Sequence, residues 1–554
     1  MQLAAVLHEP KSHMAYAIDE STVHLRVRTA NNALTAIHVI YGDKYAWDET
    51  RTEEKLVCRS SDEWHDHYEI KIQPPNKRLT YCFRLSDANE DVLFHENGFT
   101  KGSKENLDDC FHYPFLNQID IIRPPEWVKD AIFYQIFPER FANGDDSLSP
   151  TNKERWGEVE PQPDNFFGGD LQGVIDHLDH LETLGITAIY FTPVFKATTN
   201  HKYDTIDYMN VDPHFGDNAL LKKLVDRCHE RGIRVLLDAV FNHSGYYFPP
   251  FQDVLERQEN SKYKDWFHLP QFPVTSDPQP NYRTFAFEPK MPKINTENPE
   301  VRAYFLEVAR YWIEDIGVDG WRLDVANEVD HAFWREFRHV VKDVNPDAYI
   351  LGEVWHESGP WLQGDQFDAV MNYPFTNAVL DYFCKQRIDR TTFQQRIERL
   401  LVTYPEQTTN AAFNLLDSHD TARLLTLCEN DKEKMKQAVL FQFTFPGTPC
   451  VYYGDEVGLD GGHDPGCRKT MEWDEEKQDH DLFAFYKAMT GLRREHAALR
   501  DGSFQFIDTT DGVAYERRNE KETLIIHIGS ITEELTDYKT LHEGNGWTVR
   551  QKEN

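Results

Sequence analysis

The chain has 554 residues, 40% hydrophobic and 13% aromatic, which is too many for one ordinary core, so two to four domains are expected. A formal charge of −34 argues against nucleic acid and anionic membrane surfaces as partners, because both would repel it. No stretch approaches the roughly 18 uninterrupted apolar residues of a membrane span.

The stretch from Met1 has no basic segment followed by a long apolar core, so no secretory leader is expected. Eight cysteines (58, 82, 110, 228, 384, 428, 450, 467) are scattered without CxxC pairs. Free thiols in a reducing cytoplasm are therefore expected, rather than a zinc site or a disulfide framework.

Residues 1–124 alternate as short β runs, such as Val23–Val27 and Tyr68–Ile72, between Asn, Asp, Gly and Pro turns; the pattern predicts a β-sandwich. Pro124-Pro125 marks a boundary. From Ala131 the rhythm changes to apolar runs alternating with helical spacing. Strands are predicted at 131–137, 186–192, 234–240, 318–325, 349–354, 367–371, 412–416 and 450–453. Helices are predicted at 171–184, 220–231, 301–316, 331–344 and 480–494. Eight strands alternating with helices are the rhythm of a (β/α)8 TIM barrel over 125–500. A doubly wound open sheet is the rival, but no strand is followed by a Gly-rich phosphate loop. Strand three is followed by a long aromatic- and Pro-rich insertion, 242–299, and a loop of that length in a compact domain is usually functional. Residues 501–554 turn β-like again, as a short carboxy-terminal β domain.

Strand-like runs end in acids. Arg322 and Asp324 stand two apart, on one strand face, and a cation beside a carboxylate favours its ionised form. Asp238 precedes Asn242-His243, Glu353 ends a further strand, and His419-Asp420 follows another. At one end of a barrel these would face a common cleft, a set suited to glycosidic bond cleavage.

Four segments carry a resemblance to the α-amylase superfamily of retaining glycoside hydrolases: Asp238–His243, Gly320–Glu328, Glu353–His356 and Ser418–Asp420. Met291–Asn295, Asn327-Glu328 and the β-rich amino-terminal domain resemble those of the cyclomaltodextrinase, neopullulanase and maltogenic amylase group. The resemblance implies Asp324 as nucleophile, Glu353 as general acid/base and Asp420 as a grip on the distorted sugar. It implies His243 and His419 as donors to sugar hydroxyls, Arg322 as the cation beside the nucleophile, and Asp238 with Asn242 as supports behind the site. Tyr203 resembles the ring stacked under the cleaved sugar, the alternative being a core or rim tyrosine. Trp355 and Phe285 resemble aromatics that receive leaving sugars, and Asp464 with Arg468 a pair at the non-reducing end.

Asn143, Asp145, Gly168 and Asp170 resemble a structural calcium site, the alternative being a self-bonded Asn-Gly-Asp turn. No organic cofactor is implied. The resemblance further implies cleavage of α-1,4 bonds in cyclodextrins, pullulan and maltooligosaccharides, possible sugar transfer, and a cytoplasmic homodimer formed through the amino-terminal domain. An oligo-1,6-glucosidase or other α-glucosidase is the rival enzyme. A non-catalytic carbohydrate-binding scaffold is the rival class, and the retained acids argue against it.

Overall fold

A computed structural model describes residues 1–102, 104–530 and 537–553. They form two compact units, one comprising 1–123, 359–364 and 388–409, the other the remainder.

In the first unit, two antiparallel sheets enclose a core of Val23, Leu25, Val27, Ile37, Val39, Tyr81 and Phe83. Strand Val23–Ala30 also buries its second-face residues His24 and Arg26. The reason is a segment distant in sequence. Arg26 Nη1 donates to the carbonyl of Tyr404 at 2.7 Å, and the amide of Glu406 donates to the Tyr16 hydroxyl at 3.0 Å. Helix Arg390–Thr403, capped by Asp389, leads into this segment.

The second unit is built on eight parallel strands: β1 (Phe133–Ile136), β2 (Ala188–Phe191), β3 (Arg234–Ala239), β4 (Gly320–Leu323), β5 (Tyr349–Gly352), β6 (Ala369–Val370), β7 (Phe413–Asn414) and β8 (Thr448–Tyr452). Neighbours pair in the order 6-5-4-3-2-1-8-7. A parallel bridge from Met371 to Phe413 closes the seam between β6 and β7. This is the (β/α)8 barrel expected from the alternation. Apart from Arg234 at the start of β3, its strands are buried along their length, as apolar runs covered by helices must be. Phe133, Tyr190, Leu236, Tyr349, Leu351 and Phe413 share one core cluster inside it.

Differences from the sequence reading have local causes. Helix Lys432–Thr444 shows no amphipathic period in the sequence because every residue from Ala438 to Thr444 is buried, whichever face it is on. The insertion after β3 holds a helix at Pro249–Arg257. Its return segment is pinned to the end of β3, Ile294 N–H donating to the Asn242 carbonyl at 3.0 Å and Ser244 N–H to that of Pro292 at 3.1 Å. A five-stranded antiparallel sheet spans Ser503–Lys552. The expectation of free thiols throughout is corrected at one pair. Cys384 and Cys428 are joined in a disulfide with Cα atoms 4.3 Å apart, while six cysteines remain free. Forty-four residues separate the two in sequence, so no spacing rule could pair them.

Candidate active site

The register of the barrel brings the acids together. Asp238 on β3 pairs directly with Arg322 on β4, so both side chains enter the barrel from adjacent strands at one height. Arg322 Nη1 donates to both Asp238 oxygens, at 2.9 and 3.0 Å, and to Asp324 Oδ1 at 2.7 Å. Arg322 Nη2 lies 2.8 Å from Glu353 Oε1. One guanidinium therefore grips three carboxylates, and Arg322 itself is wholly buried.

A cleft of about 470 Å³ opens over this cluster. Its lining includes Tyr203, His243, Phe285, Asp324, Glu353, Trp355, Asp420, Asp464 and Arg468. Its size suits a small-molecule site. Arg468 pairs with Asp464 at 2.9 Å and lies 3.4 Å from Asp420. Trp355 is half exposed. It stacks on Tyr373, centroids 3.7 Å apart, and donates to Glu353 Oε1 at 3.1 Å. Phe285 stacks on His243 at 5.0 Å.

Electrostatics refine the sequence expectation for the nucleophile position. Burial opposes the charge of Arg322, but Asp238 and Glu353 outweigh it and hold the guanidinium above its usual range. Burial pushes the Asp324 carboxyl well up, with Arg322 pulling down and Glu353 and Asp238 adding repulsion. Burial likewise pushes Asp238 up, to about 6, against the pull of Arg322. One cation is shared by three buried acids, so its pull on Asp324 and Asp238 is outweighed by burial and by their mutual repulsion.

His419 occupies a different place from the one expected. It is fully buried behind Tyr203 rather than in the cleft lining. Its Nδ1 lies 2.6 Å from Gln135 Nε2, and its Nε2 lies 2.6 Å from the Tyr203 hydroxyl. Burial, reinforced by Arg468 and Arg322, keeps the ring neutral. With the Gln135 amide donating to Nδ1, the ring proton sits on Nε2, which faces both the Tyr203 hydroxyl and Asp420 Oδ2, 3.2 Å away. The Tyr203 hydroxyl then donates to Asp238 at 2.9 Å. His419 thus orients Tyr203 and Asp238, and both its nitrogens already have protein partners. His243 is also neutral, its pKa pushed down to about 3 by burial with Lys293 adding to the effect. Unlike His419, it has a buried Nε2 without a protein partner, and it lines the cleft.

Sequence reasoning missed Val325. It follows Asp324 with φ +46°, a conformation that costs a β-branched residue on the order of 1–3 kcal/mol. This geometry aims its N–H at Glu353 Oε2, 3.0 Å away. No sequence signal marks such strain. Gln135 had a signal, being two residues beyond Phe133 on the inward face of β1. Lys293 joins the distant motif segments, donating to Asn242 Oδ1 and pairing with Glu328 at 3.1 Å.

The expected calcium ligands lie on one loop. Asp170 accepts from the amides of Gly144, Asp145 and Gly173 and caps helix Leu171–Asp176. Asp145 accepts from Ser147, and the Asn143 amide donates to the Gly168 carbonyl. The oxygen donors are of the type calcium prefers, although a cation would compete with these hydrogen bonds. Among the described residues no cluster of three or more His, Cys, Asp or Glu gathers at metal-binding distance.

A closed (β/α)8 barrel with acids at the carboxyl ends of β3, β4 and β5, beneath an aromatic-edged cleft, has the architecture of a barrel-type glycoside hydrolase. Residues 135–502 match the alpha amylase catalytic domain, and residues 1–117 match the alpha amylase N-terminal ig-like domain. The chain belongs to the alpha-amylase family of glycoside hydrolases. It is 59% identical to a cyclomaltodextrinase of a Bacillus species, over 95% of each chain. Identity is 46% both to the intracellular maltogenic amylase of Bacillus subtilis, covering 95% of this chain and 90% of the relative, and to neopullulanase 2 of Thermoactinomyces vulgaris, covering 95% and 93%. A solved cyclomaltodextrinase structure superposes with a TM-score of 0.94 at 55% identity, covering 100% of this chain and 98% of the other.

Proposed function

We propose that the protein hydrolyses α-1,4-glucosidic bonds of cyclodextrins, pullulan and short maltooligosaccharides with retention of configuration. The observation that carries this reading is the single guanidinium of Arg322, whose two terminal nitrogens hold Asp324 and Glu353 on opposite sides of one fork. That bracket favours the short carboxyl separation, about 5–5.5 Å, used by retaining enzymes.

In the first step Asp324 attacks C1 and an ester bond forms. The C1–O bond to the leaving sugar breaks, and Glu353 delivers its proton to the departing oxygen. In the second step water attacks C1 and gives its proton to Glu353, and the ester opens. Two inversions restore the α configuration. An acceptor sugar taking the place of water gives transfer instead. Asp420, beside Arg468, accepts hydrogen bonds from sugar hydroxyls, and His243 offers its unpartnered ring nitrogen to the same sugar. Tyr203 lies beneath the ring being cleaved.

The names of the similar proteins support the substrate class, and the intracellular maltogenic amylase supports a cytoplasmic location. No helix among the described residues is long and apolar enough to cross a membrane. The amino-terminal domain supports a homodimer. Light scattering at micromolar protein tests it, and a 64.8 kDa monomer at every concentration overturns it. Calcium in the Asn143–Asp170 loop would be structural, neutralising Asp145 and Asp170; no step of the reaction passes through it.

Product analysis on equal masses of β-cyclodextrin, pullulan and soluble starch tests the substrate reading. Fast release of maltose and glucose from the cyclodextrin, panose from pullulan and slow attack on starch are expected. Starch degraded fastest with the cyclodextrin untouched would contradict it.

A further inference from the structure

A second cavity, about 770 Å³, lies outside the catalytic cleft and shares no lining residue with it. Its walls are aromatic at Trp156, Trp473 and Phe167, and charged residues of both signs surround them. Both indole N–H groups point away into the protein. Trp156 Nε1 donates to the Met471 carbonyl at 2.9 Å, and Trp473 Nε1 donates to that of Phe141 at 2.6 Å. Trp473 is further fixed by His177, their ring centroids 3.8 Å apart. The tryptophans are therefore held in place by their polar edges, and both line the cavity, Trp473 with His177 packed on one face and Phe141 and His180 edge-on. Rigid aromatic surface provides large contact area at low entropic cost.

The surrounding charges discriminate between ligand classes. Lys153 and Arg155 bring donors, Glu154 and Glu158 bring acceptors, and the two signs are interleaved along six residues, with Lys153 also paired to Asp146 and Arg155 3.5 Å from Glu158. A mixed fringe repels a multiply charged anion or cation as much as it attracts one. A neutral polyhydroxyl ligand satisfies both kinds of group, since each hydroxyl donates and accepts. Fixed aromatic walls, a volume within the range of ligand sites and a mixed-sign fringe together match a sugar chain.

We propose that this cavity is a second, non-catalytic binding site for a linear α-glucan oligosaccharide. The proposal rests on the glucan reading of the catalytic cleft. The wall is connected to that cleft: Arg140 packs its guanidinium on Phe167, 4.7 Å from the ring centre, and donates to the Arg468 carbonyl at 2.9 Å.

Calorimetric titration of the full-length Asp324→Asn protein with maltopentaose tests the proposal. Two sites are expected, with Trp156→Ala in the same background leaving one and Trp156→Phe restoring two. A single site in Asp324→Asn that Trp156→Ala leaves intact overturns the second site while leaving the cleft assignment standing. No binding at all overturns both. In the active enzyme, Trp156→Ala is expected to raise KM severalfold for long linear maltooligosaccharides and to leave kcat/KM for a short chromogenic maltoside unchanged. Equal effects on both substrates would mark Trp156 as structural and overturn the proposal.

Discussion

Arg322 and Asp238 are held together by two hydrogen bonds from a single guanidinium nitrogen, at 2.9 and 3.0 Å, and neither side chain lines the cleft. Asp238 therefore acts on catalysis through the position of Arg322. Asp238→Ala leaves a buried cation short of a partner, and breaking a buried pair in this way costs roughly 3–5 kcal/mol. Chemical denaturation measures it. A loss below about 1 kcal/mol would show that Arg322 does not depend on Asp238.

Val325 offers a separation of stability from activity. Gly adopts positive φ freely, so Val325→Gly relieves backbone strain and offsets its lost side-chain packing. Stability should change by no more than about 1 kcal/mol. The N–H held on Glu353 becomes mobile, and turnover should fall roughly tenfold or more as the acid loses its fixed orientation. Unchanged turnover with a lowered melting temperature would mean that the strained turn serves the fold alone.

Buried neutral histidines set the acid limb of stability. His243 has an ordinary value of 6.5, lowered in the fold to about 3 by burial and Lys293. As pH falls below 6.5 the unfolded chain takes the proton first. Its stabilising contribution is therefore complete above that pH and is lost progressively toward pH 3. His201, lowered to about 4 by burial and Arg468, has the same sign. Each such group adds about 1.4 kcal/mol per pH unit to the slope within its window. Melting temperatures of His243→Gln measured from pH 7 to 5 should fall less steeply than those of the unsubstituted enzyme. Parallel curves would contradict the neutral assignment.

The loop of Asn143, Asp145, Gly168 and Asp170 is tested by chelation. Dialysis against EGTA should lower the melting temperature by a few degrees, and millimolar calcium should restore it, since a ligand bound only by the folded state stabilises by mass action. Identical melting with and without calcium would leave the loop to its own hydrogen bonds.

The barrel was legible because each strand is a short apolar run and most covering helices keep an amphipathic period. Asp324, Glu353 and Asp238 were legible because strand-ending acids carry a local pattern. Other features depend on tertiary placement. Nothing local distinguishes Val325 from a valine in a β conformation. His419 reads as a substrate donor until Gln135, 284 residues away, takes Nδ1 and Tyr203 meets Nε2. The segment around Tyr404 reaches Arg26 across 378 residues. Asp324 reads as the sole partner of Arg322 until Asp238 and Glu353 are seen on the same guanidinium.

The nucleophile is tested most directly by trapping. A 5-fluoro-α-glycosyl fluoride slows opening of the glycosyl ester, and digestion followed by mass spectrometry locates the adduct. The expected result is one glycosyl group per chain, on Asp324, in a protein that still turns over β-cyclodextrin once the adduct is released. An adduct on another carboxylate, or turnover of the Asp324→Asn variant at the unsubstituted rate, would contradict the assignment of Asp324 as the attacking group.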